Sequence, residues 1–120
     1  MSKRILVVED DFDTRYMLSL ILKSEGYEVI TAADGEGALA VLFDERPDLI
    51  ITDISMPCLN GIELTRSLRD KAETASLPIL AITAFGQTTI LAALDAGASA
   101  CVRKPVVMAE FLPMIKDLIA

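Results

Sequence analysis

The sequence contains no histidine and no tryptophan, and only two of its 120 residues are cysteines. Without histidine, the chain has no Ser–His or Cys–His catalytic pair and no histidine-ligated metal site. Cys58 and Cys101 are too few for a disulfide framework or a zinc-binding pattern, and we expect both to be free thiols. Any metal site in this chain must therefore be built from oxygen ligands.

Basic residues are also scarce, because 11 lysines and arginines face 18 aspartates and glutamates and give a formal net charge of −7. No cluster of basic residues stands out, so we expect no direct nucleic-acid binding by this domain. No apolar run approaches the length of a membrane span, and residues 1–6 are too short and too polar for a signal peptide. These features favour a cytoplasmic protein without a membrane segment.

Hydrophobic residues make up 52% of the chain, and its length suits one domain with a substantial core. Short apolar runs alternate with patterns typical of helices, which predicts a parallel sheet with right-handed crossovers. The apolar runs predict strands at about 4–8, 27–31, 49–53, 78–83 and 100–102. The helical patterns follow these runs at about 13–25, 35–46, 62–68, 87–95 and 108–119.

Two helices carry specific expectations. The first is expected to open at Asp13, with Met17 on the same face as Leu18 and Leu22. The last lacks a capping side chain before Met108 and contains Pro113, which has no N–H and crowds the preceding turn. We therefore expect either a late start or a kink in the last helix.

Polar side chains stand where the predicted strands end, and parallel strands bring such ends to one edge of the sheet, where ligands bind in open α/β folds. Three neighbouring carboxylates repel one another unless a cation neutralises them, and oxygen ligands suit Mg²⁺. A lysine and a hydroxyl beside them suit an oxyanion such as a phosphoryl group. The residues are Glu9 and Asp10 after the first strand, Asp53 and then Ser55 at the third, Thr83 at the fourth and Lys104 at the fifth.

Each of these residues has a simpler interpretation when it is taken alone. Glu9 or Asp10 could favour a helix N-terminus, since acids there interact favourably with the helix dipole. Thr83 could be a cap or turn residue, and Lys104 could be a solvated loop charge. Asp53 is harder to dismiss, because a buried strand seldom ends in an unpaired carboxylate. The specificity comes from the whole set.

Four motifs together resemble the receiver domain of bacterial two-component response regulators, over essentially the whole chain. This resemblance implies a flavodoxin-like (βα)5 fold with strand order 2-1-3-4-5, the order of the chemotaxis receiver. It also implies that residues 1–120 form a single receiver domain with no output domain. The motifs are Val7-Val8-Glu9-Asp10-Asp11, Ile51-Thr52-Asp53-Ile54-Ser55-Met56-Pro57 with Asn60-Gly61, Ile82-Thr83-Ala84 and Arg103-Lys104-Pro105.

The resemblance implies that Asp53 accepts a phosphoryl group from a phosphohistidine, carried by a sensor histidine kinase or a histidine phosphotransfer protein. It implies a Mg²⁺ site formed by Glu9 through water, by Asp10 and Asp53 directly, and by the backbone carbonyl of Ser55. It further implies that the phosphoryl oxygens are bound by Lys104, Thr83 and the backbone N–H of Ala84. The Lys104–Pro105 peptide bond is expected to be cis.

Two positions depart from the family pattern. Cys101 replaces the aromatic residue that usually switches together with Thr83, and we interpret it as a small core residue. Phe85 stands two residues after Thr83, where a polar residue is common, and could shield an acyl phosphate from water. The switching surface implied by the family is formed by the fourth helix, the fifth strand and the fifth helix, and would contact a downstream protein or a second copy.

Three other functions remain open at this point. An aspartate-nucleophile phosphatase would need a second aspartate at the position of Ser55. A flavin carrier on the same fold would need a phosphate-binding loop where Glu9, Asp10 and Asp11 stand. A receiver-like scaffold that has lost phosphorylation could dispense with the acidic residues that this chain retains.

Overall fold

Five strands alternate with five helices in a computed structural model that describes residues 2–54 and 60–120. The bounds agree with the sequence pattern to within about two residues. In chain order the elements are β1 (Arg4–Val8), α1 (Phe12–Ser24), β2 (Glu28–Ala32), α2 (Gly35–Glu45), β3 (Leu49–Asp53), α3 (Gly61–Arg69), β4 (Ile79–Thr83), α4 (Gln87–Ala96), β5 (Ala100–Arg103) and α5 (Met108–Ile119).

The strands form one parallel sheet in the order β2-β1-β3-β4-β5, so the expected flavodoxin-like fold is confirmed. The register aligns the carboxyl ends of neighbouring strands. Val8 pairs with Thr52, which places Glu9 next to Asp53 across the β1–β3 border. Asp53 in turn pairs with Ile82, and Thr83 pairs with Arg103. The polar residues that follow the strands therefore meet at one edge of the sheet.

Both faces of the sheet are covered, as near-continuous apolar strands require. One face packs against α2, α3 and α4, and its buried core includes Leu6, Ile50, Leu64 and Leu68. The other face packs against α1 and α5. Burying one such leucine or isoleucine stabilises the fold by about 1.5–3 kcal/mol. The sheet therefore lies between two apolar cores.

Side-chain caps fix where three helices begin. Asp11, Asp34 and Asn60 each accept a hydrogen bond from a backbone N–H three residues later, which satisfies a donor that the helix leaves free. Because Asp11 caps α1, the helix begins at Phe12 and not at Asp13 as expected. Among the described helices, none is both long and apolar enough to cross a membrane.

Of the two alternatives expected for the last helix, the late start is wrong, because α5 begins at Met108 and runs through Pro113 to Ile119. The kink at Pro113 stays a prediction. Val107 makes no side-chain cap, as the sequence indicated. Phe111 and Ile115 are buried on either side of Pro113, which is exposed. The packing of this apolar face outweighs the cost of the proline and the missing cap.

Candidate functional site

Glu9, Asp10 and Asp53 form an acidic cluster at the carboxyl edge of the sheet. One carboxylate oxygen from each lies within 4.8 Å of the others. Glu9 and Asp53 are buried, whereas Asp10 is exposed. Since three hard oxygen donors converge on an accessible point, this set fits a Mg²⁺ ion that keeps several of its waters. The cluster predicted from the sequence is therefore brought together by the fold.

Glu9 is held by its backbone and by its side chain. Its N–H donates to the Ala32 carbonyl at 3.0 Å, and the Asp11 N–H donates to its carboxylate at 3.1 Å. Burial raises the pKa of Glu9 to about 7, and the negative charge of Asp53 adds to the rise. The Asp11 N–H and the charge of Lys104 oppose this rise without cancelling it. Without a bound cation, Glu9 therefore titrates near neutral pH.

Lys104 bridges two of the carboxylates. Its Nζ lies 2.9 Å from Asp53 Oδ2 and 3.4 Å from Glu9 Oε1. Burial alone would lower the pKa of Lys104, but its hydrogen bond to Asp53 and the two negative charges raise the pKa overall. The residue stays charged and aims its ammonium group at Asp53. The peptide bond from Lys104 to Pro105 is cis, as the family resemblance implied.

Thr83 ends β4 as a buried residue beside the site. Its hydroxyl oxygen accepts the N–H of Phe85 at 3.0 Å, and its carbonyl accepts the N–H of Lys104 at 2.7 Å. Thr83 thus does act as a turn residue, and it also ties the loop after β4 to the residue that contacts Asp53. Ala84 and Phe85 are exposed at the rim of this edge.

Cys101 is half-buried in β5, pairs in register with Ala81 and packs against the core that faces α4. It is a free thiol whose pKa is raised by burial. This placement supports the interpretation of Cys101 as a small core residue. Ser55 and Cys58, two other positions singled out from the sequence, lie outside the described residues.

An apolar groove of about 490 Å³ opens beside the acidic cluster, between α1 and the loop after β5. The side chain of Met17, which the sequence pattern placed on the face of Leu18 and Leu22, is 49% exposed and lines this groove. The helix turns Leu18 and Leu22 inward, and Met17 lies at the edge of that face. The other lining residues are Glu9, Thr14, Leu18, Ile82, Lys104, Pro105, Val106 and Met108.

Sequence reasoning missed two backbone contacts at the site. Arg15 donates to the carbonyl of Glu9 at 2.7 Å and lies over the ring of Phe12, with 5.5 Å from its guanidinium carbon to the ring centre. Gly61 packs directly against the backbone of Asp53 and Ile54. Only the Asn60-Gly61 dipeptide gave a signal, and it indicated a turn and no contact with Asp53.

Comparison with known sequences agrees with this geometry. The family described as the response regulator receiver domain matches residues 5–116. Response regulator MprA of Mycobacterium bovis (strain BCG / Pasteur 1173P2) is 41% identical over 120 residues, which cover 99% of this chain and 51% of that protein. The chain therefore spans about half the length of the curated relatives it matches.

Solved structures show the same fold. The chemotaxis protein CheY4 of Vibrio cholerae superposes with a TM-score of 0.91 at 32% identity, covering 98% of this chain and 99% of that chain. The BeF3-activated N-terminal receiver domain of RstA from Klebsiella pneumoniae superposes with a TM-score of 0.90 at 27% identity, covering 98% of each chain.

Proposed function

The chain belongs to the response regulator receiver domain family of two-component signalling, and from this premise we propose that Asp53 is its phosphoryl acceptor. One observation carries the proposal. Asp53 is a buried carboxylate at the carboxyl end of β3, 2.9 Å from the Lys104 ammonium and within 4.8 Å of two further carboxylates. Buried charges of this kind are costly unless they are paired or serve a ligand.

The reaction requires one bond to form and one to break. A carboxylate oxygen of Asp53 attacks phosphorus, the nitrogen–phosphorus bond of a phosphohistidine breaks, and its electron pair stays on the imidazole nitrogen. The products are an acyl phosphate on Asp53 and a free histidine on the donor. Positioning and charge stabilisation supply most of the catalysis of phosphoryl transfer. The carboxylate attacks directly, and the Lys104 ammonium 2.9 Å away offsets its negative charge.

The residues around Asp53 suit the phosphoryl oxygens. Lys104 already points its ammonium at the carboxylate and can follow the charge onto the phosphoryl group. Thr83 accepts a hydrogen bond from Phe85, which leaves its own hydroxyl proton available to donate. The backbone N–H of Ala84, in the exposed turn after Thr83, would supply another donor. We propose that these donors bind the phosphoryl oxygens. The new hydrogen bond of Thr83 would then signal that Asp53 is phosphorylated.

Glu9, Asp10 and Asp53, with the backbone carbonyl of Ser55, would hold Mg²⁺ in this proposal. Support comes from the oxygen-only donor set and from the absence of histidine in the chain. When bound, Mg²⁺ neutralises the carboxylates and the incoming phosphoryl oxygens. Asp10, the exposed acid, faces the solvent side of the cluster, where the ion would enter.

The phosphoryl donor must lie outside these 120 residues, because they contain no histidine. We propose a sensor histidine kinase or a histidine phosphotransfer protein as the donor, and the cytoplasm as the compartment. We propose no independent enzyme substrate for the domain.

We place residues 1–120 in one receiver domain, whose output surface consists of α4, β5 and α5. The exposed apolar side chains Leu91 and Leu94 of α4, and Val107 just before α5, suit a downstream protein or a second copy.

The test uses acetyl phosphate and Mg²⁺ with the purified chain, followed by intact-mass measurement. We expect the mass of one phosphoryl group to be added to the native protein and to the control D44N, which changes an exposed aspartate of α2. We expect no addition to D53N, which keeps the shape of the side chain. A D53N protein that is labelled like the native protein would refute the assignment.

A further inference from the structure

We propose that Gly61 is a positioning residue for Asp53. The absence of a side chain at Gly61 lets the first turn of α3 lie directly against the end of β3. This close approach fixes the backbone from which the Asp53 carboxylate reaches Lys104 and the acidic cluster. The inference rests on the proposed function of Asp53 and adds a residue that touches neither the metal nor the phosphoryl group.

The space beside Gly61 is too small for a side chain. A Cβ atom at Gly61 would overlap the carbonyl oxygen of Asp53, and it would lie 2.8 Å from Ile54 Cα and 3.1 Å from the Asp53 carbonyl carbon. These are backbone atoms at the end of β3 and in the residue after it, and they cannot rotate away as a side chain could. The φ angle of Gly61 is not in the left-handed region, in contrast to the φ angles of Gly26 and Gly97. Gly61 is therefore required for room and not for backbone freedom.

Hydrogen bonds hold this contact from both sides. The Gly61 N–H donates to the Ile54 carbonyl at 3.0 Å, and the Ile54 N–H donates to the Ile82 carbonyl of β4 at 2.9 Å. The hydroxyl of Thr65, a fully buried residue, donates to the Gly61 carbonyl at 2.7 Å. The backbone that follows Asp53 is thus clamped between β4 and the first turn of α3.

The geometry of Asp53 depends on this clamp. Its Oδ2 lies 2.9 Å from Lys104 Nζ, so a shift of the strand end by a fraction of an ångström changes the contact. A methyl group at position 61 must push either β3 or α3 away, because the interior is close-packed. Misplacing a reacting group by 1 Å can lower a rate by about 100-fold. Gly61 would therefore act on the reaction through the position of Asp53 and not through a contact of its own with the reacting groups.

The experiment compares G61A with the matched control G37A. Gly37 lies in the first turn of α2, and a Cβ there would lie 3.3 Å from Asp34 Oδ1 and 3.6 Å from Ala32 Cβ, which are side-chain atoms. Both changes place alanine near a helix start, so helix propensity acts equally in both. Calorimetric titration with Mg²⁺ alone measures metal affinity, and acetyl phosphate at saturating Mg²⁺ measures the labelling rate.

We expect G61A to bind Mg²⁺ more weakly than the native protein and to be labelled up to about 100-fold more slowly. We expect G37A to match the native protein in both measurements. A folded G61A with native Mg²⁺ affinity and native labelling rate would overturn the inference. If the native protein itself were never labelled, the proposed function would fail, and the Mg²⁺ affinities would still decide the role of Gly61.

A second pair of variants applies if G61A does not fold. T65V removes the hydroxyl that holds the Gly61 carbonyl, and T65S keeps it, so T65S serves as the conservative rescue. We expect T65V to weaken Mg²⁺ binding and to slow labelling, and we expect T65S to retain native values. Native Mg²⁺ affinity in both variants would contradict the inference, because the clamp would then have no effect on Asp53.

Discussion

At the scale of single residues, the site has more acidic than basic side chains. Three carboxylates meet one ammonium group, Lys104, which bridges Asp53 and Glu9. Breaking a buried ion pair by removing one partner leaves an uncompensated charge and is strongly destabilising. Burial, together with the negative charge of Asp53, raises the pKa of Glu9 to about 7, so protonation of Glu9 lowers the negative charge of the cluster. A bound cation would relieve the same charge.

A pH dependence of stability follows for the metal-free protein. Unfolded Glu9 loses its proton near its ordinary pKa of 4.5, whereas folded Glu9, which faces Asp10, Asp53 and Lys104, keeps it to about pH 7. Between these values the folded state binds more protons, so the free energy of unfolding falls as pH rises. The variant E9Q keeps an acceptor for the Asp11 N–H but does not titrate.

Urea unfolding in EDTA, followed by circular dichroism from pH 4.5 to 7, checks this prediction. The native protein should lose stability relative to E9Q as the pH rises through this window. Parallel curves for the two proteins would show that the charge of Glu9 has no such cost in the folded state.

A second prediction at the residue scale concerns Phe85. Its ring is 55% exposed beside Thr83, where it covers the rim of the site with an apolar surface. The variant F85E would replace that surface with a carboxylate that can orient water, so we expect faster loss of the acyl phosphate. Intact-mass measurements over time follow the loss of the phosphorylated form and give this rate.

The control F43E changes an exposed phenylalanine of α2 and should leave the rate of loss unchanged. Equal rates of loss in the native protein and in F85E would disprove the role of Phe85.

The residues that could be predicted from the sequence are those whose type and position in a strand carry the signal. Asp53, Glu9, Asp10 and Lys104 follow apolar runs, and the parallel topology alone brings them to one edge. The clamp at Gly61 could not be predicted, because it depends on the distance between two backbones. No local pattern records how closely a helix approaches a strand.

At the scale of elements, α5 shows packing overriding local preference. The helix has no side-chain cap and carries Pro113, yet it runs without interruption from Met108 to Ile119. Phe111 and Ile115 are buried against the face of the sheet that also packs α1. The apolar periodicity was therefore the stronger signal, and the expected late start was wrong because tertiary packing decides helix ends more than propensity does.

The proline in α5 leads to a stability prediction. Pro113 is exposed, lacks an N–H for the Ala109 carbonyl and occupies a helix interior, where proline is unfavourable. We expect P113A to raise the free energy of unfolding by about 1–3 kcal/mol, measured by urea titration. The control P78A removes a proline outside the helices and should give no gain, since proline in such positions restricts the unfolded chain. A P113A protein no more stable than native would show that α5 tolerates the proline without cost.

The bounds of several elements differ from the sequence prediction for a common reason. β2 begins at Glu28, β4 begins at Ile79 and β5 extends to Arg103, whereas the apolar runs alone suggested limits one residue away. Strand ends are set by pairing with neighbours, as when Arg103 pairs with Thr83. Hydrophobic pattern locates a strand well but does not report its partners.

At the scale of the whole molecule, one parallel sheet connects the acidic cluster with the surface formed by α4, β5 and α5. β4 and β5 are paired along their length, with Thr83 opposite Arg103 and Cys101 opposite Ala81. A shift of the Thr83 backbone would therefore act on Arg103, the residue of β5 with which it pairs. Phosphorylation is a local electrostatic event, and this shared register gives it a route to the surface formed by α4, β5 and α5.

The small size of Cys101 bears on that route. An aromatic residue is usual at this position in the family, whereas Cys101 packs into the core as a half-buried thiol. The surface response to a phosphoryl analogue can be followed by amide chemical shifts of α4, β5 and α5. We expect beryllofluoride with Mg²⁺ to shift amides in these elements and to leave those of α2 unchanged; shifts confined to the acidic cluster would contradict coupling through β5.

The identity of the phosphorylated residue can be measured directly. After treatment with acetyl phosphate and Mg²⁺, borohydride reduces an acyl phosphate of aspartate to homoserine, and tandem mass spectrometry of peptides locates it. The geometry around Lys104 predicts homoserine at position 53 and nowhere else in the chain. Homoserine at Asp10 or another aspartate, with Asp53 unmodified, would contradict the proposed function.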